Sequence, residues 1–427
     1  MAKIDFEELV RTGPETVMGE LMRRYWVPAL LAAELPAPDC PPVRVTVLSE
    51  PLIGFRDSTG QPALVSEFCA HRHASLFFAR NEECGLRCAY HGWKYDASGA
   101  CVDMPSEPET SRFKEHVSIR AYPARERGGI IWAYLGPPAD EPPLPELEWA
   151  LVPPENRFVS KRIQESNWLQ ALEGGIDSSH VSFLHRFNLA TDPMHQNGKG
   201  NEFLKADSHP RFETATSAGG LLIAARRNAT EDEYYWRITQ YLLPWYTLIP
   251  PFGDHPLGGH AWVPIDDTHC WVWNINFHPS RPLSSEEVAQ MESGAGIHAE
   301  LIPGTFRPVA NATNDYLIDR KAQLARRSFS GVGGFGTQDQ AIQETMGAIQ
   351  PRDEEHLGTS DIGIMMARRR LHEAALALRD HGTEPPGRDA GAQRVRPASL
   401  LMRKGVSFDE GAGEALVADP GRPVVSL

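Results

Sequence analysis

Short segments in which apolar and polar residues alternate dominate the chain between about residues 43 and 138. VRVTVLSE, PLIGFRD, PALVSEF and GGIIWAYLGPP are rich in β-branched and aromatic residues, and turn signals such as Asp57-Ser-Thr-Gly60 separate them. This pattern is typical of half-buried strands joined by tight turns. We therefore predict a small all-β domain over residues 45–138.

The region after residue 156 mixes two kinds of pattern. The runs GLLIAARRNA, EYYWRITQYLL and CWVWNINFHP predict strands, whereas the segments Ser166–His185, Ser284–Ser293 and Thr359–His381 predict helices. Ser360 is a candidate N-cap of the last helix, and Gly382 follows its end. The mixture predicts an α+β domain over residues 157–382.

Three further segments complete the predicted organisation. Residues 1–44 are predicted to be a helical segment that packs on the larger domain, with a helix that opens at Thr12-Gly-Pro and ends near Pro28. Residues 139–156 contain five prolines and predict an extended linker. Residues 383–427 are rich in proline and glycine and predict a surface arm or tail.

The charge, apolar content and cysteine content of the chain disfavour some classes of binding partner. The chain has 427 residues and a net charge of −14, which disfavours nucleic acid because phosphates require clustered Lys and Arg. No stretch approaches the 18 apolar residues of a membrane span, and the N-terminus lacks a secretory pattern, so a cytoplasmic location without membrane contact is expected. Six cysteines in a chain of this length favour metal binding or catalysis over a disulfide scaffold.

Two loops in the predicted all-β domain each carry one cysteine and one histidine. Cys69-Ala-His71 is followed, after sixteen residues, by Cys88-Ala-Tyr-His91. Zinc sites usually pair Cys with Cys and His with His, whereas each pair here is mixed. The mixed pattern favours a [2Fe–2S] cluster in which two cysteines hold one iron and two histidines hold the other. Zinc remains the alternative.

A second candidate metal site lies in the predicted helix after the linker. Asp177, His180 and His185 follow one another, and both histidines reach one metal only if the helix ends or distorts there. Two histidines and one carboxylate form the facial triad of non-haem Fe(II) oxygenases. The carboxylate comes from elsewhere in the chain, with these candidates: Asp315, Asp319, Asp339 and Asp361.

The motifs C-x-H-R and C-x-Y-H-G-W-x-Y-D resemble those of the Rieske oxygenases. The resemblance implies an α+β protein, in which a small all-β Rieske domain precedes a catalytic domain with an antiparallel sheet flanked by helices. It also implies that Cys69 and Cys88 bind one iron of the cluster, and His71 and His91 the other. One departure is His73, which stands where the family commonly has glycine.

The resemblance also assigns roles around the second metal. His180 and His185 would bind a mononuclear iron, and the segment Gln338-Asp339-Gln-Ala341 makes Asp339 the expected third ligand, with Asp315 as the runner-up. Asp177 would link a cluster histidine of one subunit to an iron histidine of its neighbour and so carry electrons between subunits. Asn167 would lie near the iron without binding it tightly.

The segments TGPETVMGELMRRYWVPALLAAELP and GFGTQDQAIQETMGAIQPRDEEHLGTSD resemble the phthalate dioxygenase-type branch. That branch implies an aromatic carboxylate substrate, homotrimers or stacked trimers, and a separate reductase with flavin and an iron–sulfur centre that accepts electrons from NAD(P)H. A buried carboxylate needs a cationic partner, and the candidates for this role are Lys205, Arg211, Arg226, Arg227 and Arg237. At most one of the neighbours Arg226 and Arg227 faces a pocket, because successive side chains of a strand point to opposite faces.

The expected activity is therefore hydroxylation of a phthalate- or benzoate-like acid by a dioxygenase. Three alternatives remain open: a monooxygenase or aryl-ether O-demethylase on the same scaffold, a Rieske electron carrier without a catalytic iron, and a structural zinc protein. Three irons per chain favour an oxygenase, two favour the carrier, and a colourless protein favours zinc.

Overall fold

The computed structural model of the chain describes residues 4–419, 421 and 424. The chain forms two compact units, one of Thr12–Pro142 and one of Met1–Arg11 together with Pro143–Leu427. Among the described residues, no helix has the length and apolar character needed to cross a membrane.

Helices and strands alternate irregularly along the described chain. The helices are α1 (Phe6–Val10), α2 (Val17–Arg23), α3 (Glu148–Leu151), α4 (Trp168–Ile176), α5 (Asn188–Thr191), α6 (Asn201–Ala206), α7 (Ser285–Glu292), α8 (Arg320–Leu324), α9 (Phe335–Glu344), α10 (Ile362–His381) and α11 (Phe408–Ala412). The strands are β1 (Trp26–Leu31), β2 (Val43–Val47), β3 (Glu50–Arg56), β4 (Pro62–Ser66), β5 (Arg80–Glu82), β6 (Gly85–Arg87), β7 (Lys94–Asp96), β8 (Cys101–Asp103), β9 (Ala121–Tyr122), β10 (Ala124–Arg127), β11 (Ile130–Tyr134), β12 (Arg157–Gln164), β13 (Arg211–Thr216), β14 (Gly220–Asn228), β15 (Glu233–Leu242), β16 (Tyr246–Ile249), β17 (Leu257–Pro264), β18 (Cys270–Phe277) and β19 (Ala398–Arg403).

The smaller unit consists of three antiparallel sheets with the orders β1-β11-β10, β2-β3-β4-β9 and β5-β6-β7-β8. Apolar residues of the second and third sheets, and of the loops between their strands, bury a common core that includes Phe55, Leu76, Trp93 and Tyr95. The loop after β4 and the loop after β6 lie over this core. They carry the two cysteine–histidine motifs, so a rigid β-scaffold holds both loops.

The larger unit is built on an eight-stranded antiparallel sheet, in which seven strands have the order β12-β18-β17-β16-β15-β14-β13 and the eighth, β19, pairs with β15. The long strand β15 pairs with β16 along its C-terminal end and with β19 along its N-terminal half. The predicted α+β class, with its small all-β domain and antiparallel sheet, is confirmed.

Helix α4 is shorter than the pattern predicts and ends at Ile176, close to the candidate iron site. The adjacent Gly175 packs so tightly on strand β17 that an added Cβ would lie 2.0 Å from the Trp262 ring. Asp177 then adopts an extended backbone, with φ −86° and ψ 112°, and accepts a hydrogen bond from Ser179 N. The helix therefore ends before His180, which frees the two histidines from helical spacing.

The predicted boundaries differ from the structure in the outer segments. The helical prediction for 1–44 is wrong beyond Arg23, because β1 pairs with β11 and residues from Thr12 onward belong to the smaller unit. The linker region contains the short helix α3. The predicted arm 383–427 instead contributes β19 to the main sheet, since its apolar residues continue the β15 ladder. Residues 1–3, 420, 422, 423 and 425–427 of these predicted segments lie outside the described residues.

Candidate metal centres

The two cysteine–histidine loops bring four potential ligands to one end of the smaller unit. Each loop folds back on itself: Cys69 N donates to Ala74 O, and Cys88 N donates to Trp93 O. The imidazoles of His71 and His91 lie with their ring centroids 4.3 Å apart, and the His71 ring stacks on Trp93 at 4.4 Å. Both cysteines are buried and free of disulfides.

The donor set fits a cluster with two sulfur and two nitrogen ligands. His71 Nδ1 is buried and makes no hydrogen bond within the described chain, as expected of a nitrogen reserved for a metal. Tyr95 Oη lies 3.2 Å from Cys69 Sγ and can donate to the thiolate. Burial raises the pKa of Cys88, so a nearby positive charge such as iron is needed to stabilise its thiolate.

His73 occupies a strained position in the first loop. Its φ of 59° lies in the left-handed region that favours glycine, and its ring stacks on Phe68 with centroids 4.2 Å apart. The ring therefore packs against the base of the loop, and the stacking offsets part of the strain.

His180, His185 and Asp339 form the second candidate centre, in the larger unit. One donor atom from each lies within 4.8 Å of the others. Asp339 Oδ1 is 2.9 Å from His185 Nε2 and 3.5 Å from His180 Nε2. Both Nε2 atoms therefore face a single carboxylate, which is the arrangement that a 2-His-1-carboxylate iron site requires.

The other nitrogen of each histidine is held by a neighbouring side chain. His180 Nδ1 lies 3.3 Å from Asp177 Oδ2, and His185 Nδ1 lies 2.8 Å from Gln338 Oε1. The Gln338 amide is itself oriented, because its Nε2 donates to Asn188 Oδ1 and Val332 O. These bonds place hydrogens on both Nδ1 atoms and leave both Nε2 atoms available to a metal.

The electrostatics of this centre favour a cation. Burial alone would lower the pKa of His180, but the carboxylates of Asp177 and Asp339 outweigh it and raise the pKa to about 9. Burial would raise the pKa of Asp339, whereas His185 and His180 lower it to about 2. The carboxylates of Asp177 and Asp339 thus stabilise positive charge at this centre, which a divalent metal would supply.

Asp339 is the carboxylate that the structure places beside the two histidines. Helix α9 carries it, and Arg162 holds the first turn of that helix by donating to Ile297 O and Gly336 O. Asp315 is exposed in a turn, Asp319 caps α8, and Asp361 accepts from Gly358 N.

The structure gives Asn167 a different role from the one expected near the iron. Asn167 is fully buried at the start of α4, and its side chain accepts from Leu169 N. Its Nδ2 donates to Val10 O and Asp267 O. The amide therefore caps the helix, at the opposite end of α4 from Asp177.

A cavity opens beside the second centre, between the sheet and the residues that follow α4. Apolar groups form much of its wall, including Ile249, Phe252 and Phe335. Arg237 also lines the cavity, and its guanidinium lies 4.0 Å above the Phe252 ring. A cavity in which aromatic and aliphatic side chains face a set of polar groups is typical of a site for a small aromatic ligand.

The basic residues that were expected to bind the substrate lie in different surroundings in the structure. Arg226 lies over the Tyr234 ring and does not line this cavity, and Lys205 and Arg211 are exposed. Neither Arg226 nor Lys205 is among the described residues that line the cavity, so the expectation that these two bind the substrate is wrong. Arg227 on β14 lies on the same face of the sheet as Arg237 on β15, and it donates to Ser178 O and Asp207 O.

Sequence analysis did not assign several of the residues that surround this centre to a functional site. Gln338 adjoins Asp339 and was visible only as part of its motif, whereas His195, Thr239 and His260 reach the cavity from separate elements. Burial and Arg162 lower the pKa of His260 to about 4, so its imidazole is neutral. Only the packing of these elements shows that the side chains share one wall.

Known protein families match both units. The Rieske [2Fe-2S] domain matches residues 25–123, and the LigXa C-terminal domain like family matches residues 133–402. The terminal oxygenase of carbazole 1,9a-dioxygenase from Novosphingobium sp. KA1 has a similar fold, with a TM-score of 0.57 and 19% identity, over 89% of this chain and 96% of that chain.

Similar sequences have been characterised in several bacteria. The chain is 38% identical to the 3-chlorobenzoate-3,4-dioxygenase oxygenase subunit of Comamonas testosteroni, over 95% of this chain and 96% of the relative. It is 36% identical to the phthalate 4,5-dioxygenase oxygenase subunit of Pseudomonas putida, over 87% and 85%. It is 31% identical to the 5,5'-dehydrodivanillate O-demethylase oxygenase subunit of Sphingobium sp., over 94% and 87%.

Together, the fold, the two metal centres and these similarities define an oxygenase subunit that depends on two iron cofactors. The chain belongs to the Rieske non-haem iron oxygenases, in their phthalate dioxygenase-type branch. As a member of this family it is an oxidoreductase that holds a Rieske [2Fe–2S] cluster and a mononuclear iron and uses O2 as a co-substrate.

Proposed function

We propose that this oxygenase is the terminal component of a system that hydroxylates a benzoate- or phthalate-like acid. The observation that carries the proposal is the buried cation in the cavity beside the iron centre. Within the described chain, Arg237 pairs with no carboxylate and donates to Tyr235 Oη, Pro250 O and Pro251 O. An anionic substrate would supply the missing counter-charge, and the apolar wall would hold its ring.

A second cation strengthens the positive potential at this end of the cavity. Arg227 is buried on the same face of the sheet as Arg237, and burial together with the charge of Arg237 lowers the pKa of Arg227 to about 10. The two buried guanidinium groups repel each other, so an anion bound near them is stabilised. The substrates named for the 3-chlorobenzoate and phthalate dioxygenase relatives are aromatic acids, which supports the same class for this chain.

Each metal ligand has a proposed role. Cys69, Cys88, His71 and His91 would bind the cluster, and His180, His185 and Asp339 would bind the mononuclear iron. When bound, the cluster supplies single electrons and the iron supplies the open coordination positions at which O2 is activated. Gln338 and Asp177 hold the iron histidines in the required tautomer, while Phe252 and Phe335 exclude water from the ring of the substrate.

Electron delivery requires partners in this proposal. Asp177 would accept a hydrogen bond from His180 and another from a cluster histidine of a second copy of the chain, in a trimer or stacked trimers. A flavin and iron–sulfur reductase would deliver electrons from NAD(P)H; for a structural relative, a complex between oxygenase and ferredoxin is known. A cytoplasmic location stays a prediction from the sequence.

A single turnover tests the reaction and the substrate class together. The iron-loaded enzyme is reduced without oxygen and mixed with a panel of mono- and dicarboxylated and methoxylated benzoates. Labelled O2 is then admitted and the products are analysed by mass spectrometry. We expect a product with two labelled atoms and all carbons retained.

Other products would redirect the proposal. One labelled atom, or release of formaldehyde, would identify a monooxygenase or O-demethylase, an activity that the similarity to the dehydrodivanillate O-demethylase subunit keeps open. No product from any aromatic acid would contradict the proposed substrate class.

A further inference from the structure

The Asp192–His195 pair in the wall of the iron cavity has no part in binding either metal. Asp192 follows helix α5 and is buried. Its Oδ1 accepts from Met194 N and lies 3.0 Å from His195 Nδ1, and its Oδ2 accepts from Gly296 N. Burial would raise the pKa of Asp192, but the hydrogen bonds from His195, Gly296 and Met194 outweigh it and lower the pKa.

The ionised carboxylate determines which nitrogen of His195 carries the hydrogen. Because Asp192 only accepts, Nδ1 donates to it and a neutral ring presents the Nε2 lone pair. Burial lowers the pKa of His195 despite the nearby carboxylate, which favours the neutral ring. Within the described part of the chain, Nδ1 is the ring nitrogen that makes a hydrogen bond, which leaves Nε2 as a free acceptor on a residue that lines the cavity.

Two aromatic contacts fix the ring relative to the cavity. The His195 ring stacks on Phe335 at a centroid distance of 4.0 Å, and it meets Phe252 edge-on at 5.4 Å. Phe252 is also the ring over which Arg237 lies. A cation and an acceptor thus flank one aromatic side chain, which puts both within reach of a single benzene-sized ligand.

We infer that His195 Nε2 is the second polar anchor of the substrate site and accepts a hydrogen bond from a hydroxyl or amino group on the ring. The inference rests on the proposed function, since Arg237 binds the carboxylate of the same molecule. The site is therefore matched to an aromatic acid that carries a hydrogen-bond donor. An apolar substituent of the same size leaves Nε2 desolvated and unpaired, which disfavours its binding.

The test is equilibrium binding to the oxidised holoenzyme without reductase, so that no turnover occurs. Dissociation constants are measured by calorimetry for benzoate and for two matched pairs, the hydroxy- and methylbenzoates substituted at the meta and the para positions. In the natural protein, we expect one hydroxybenzoate to bind about tenfold more tightly than its methyl counterpart, equivalent to about 1.4 kcal/mol.

Two variants examine the contact itself. His195→Asn keeps a donor for Asp192 and removes Nε2, and His195→Phe keeps the stacking on Phe335 and removes both nitrogens. Both should lose the preference for the hydroxy compound while binding the methyl compound as before. His209→Asn, an exposed histidine, is the matched control and should change neither constant. Cluster absorbance and iron content show that each variant is folded.

The outcomes separate the two proposals. Tight binding of benzoates without any preference for the hydroxy member overturns the role of His195 and leaves the proposed function intact. A preference that survives in both variants also overturns that role. Failure of every carboxylate to bind overturns the proposed function, and the inference about His195 with it.

Discussion

At the scale of single residues, the iron cavity combines one cation with groups that hold the metal ligands in place. Arg237 lies inside the cavity and Arg226, on the neighbouring strand, lies outside it. Comparing variants of the two arginines therefore distinguishes a specific contact with the substrate from a general effect of positive charge.

Replacing Arg237 by Gln should weaken binding of benzoate-type acids by roughly 10- to 100-fold, because a charged hydrogen bond contributes about 1.5–3 kcal/mol. Calorimetry on the oxidised holoenzyme measures the effect. Arg226→Gln removes the same charge at the surface and should leave the dissociation constant unchanged. Equal losses in both variants would contradict a direct contact with Arg237.

Replacing Gln338 by Leu removes the acceptor for His185 Nδ1. The ring then loses its fixed tautomer and orientation, and we expect the affinity for Fe(II) to fall roughly 10- to 100-fold. Anaerobic competition with an Fe(II) chelator measures this affinity. Gln61→Leu, at an exposed glutamine of the smaller unit, is the control. Unchanged iron affinity in the Gln338 variant would show that the hydrogen bond is dispensable.

Replacing Asp177 by Asn should leave both metals bound and slow turnover by roughly 10- to 100-fold, since the carboxylate holds His180 but does not face Asp339. Iron analysis, cluster spectra and steady-state rates with reductase distinguish the two effects. Asp353→Asn, an exposed carboxylate, should behave like the natural protein. Normal turnover in the Asp177 variant would refute its bridging role.

At the scale of elements, helix α4 is connected to the C-terminal part of the larger unit through buried ion pairs. Glu173 on α4 accepts from Arg368 Nε at 2.6 Å and from Arg352 Nη1 at 2.5 Å. Arg368 on α10 also donates to Glu355 at 2.7 Å. These ion pairs hold α4 in place at Glu173, four residues before Asp177, so the network supports the geometry of the iron site.

Replacing Arg368 by Met would leave Glu173 and Glu355 buried with reduced compensation. We expect the free energy of unfolding of the larger unit to fall by about 3–5 kcal/mol. Denaturant titration followed by tryptophan fluorescence measures the change. The neighbouring Arg369 forms an exposed pair with Glu373, and Arg369→Met should cost less than about 1 kcal/mol. Equal effects would mean that the buried network adds no stability.

At the scale of the whole molecule, the two units house two different metal centres. The smaller unit offers mixed sulfur and nitrogen ligands, and the larger unit offers nitrogen and oxygen ligands. Metals with different exchange behaviour are therefore expected in one chain, since thiolates hold a cluster more firmly than a facial triad holds Fe(II).

Mild chelation of the purified enzyme should reduce its iron content from three atoms to two per chain. Turnover should disappear while the visible absorbance of the cluster stays constant, and added Fe(II) should restore activity. Iron analysis and absorbance spectra follow both centres. Loss of the cluster absorbance in step with activity would argue against an independent mononuclear site.

The sequence by itself determined the motifs and most of the regular elements. Cys69-Ala-His71 and Cys88-Ala-Tyr-His91 were recognisable because their spacing lies within single loops, and the strands β14, β15 and β18 followed from local patterns of apolar residues. It was also predictable that the helix must end or distort for His180 and His185 to reach one metal, since two histidines five residues apart do not share one helix face.

The tertiary structure alone decided which distant side chains meet. Asp339 was one of four candidate carboxylates by pattern, and only the docking of α9 places it beside His185. Asn167 could not be assigned correctly, because its role as a helix cap depends on where α4 begins. The same reason applies to Arg237, His195 and the strand β19: contacts between residues far apart in the chain depend on packing, and local patterns do not encode them.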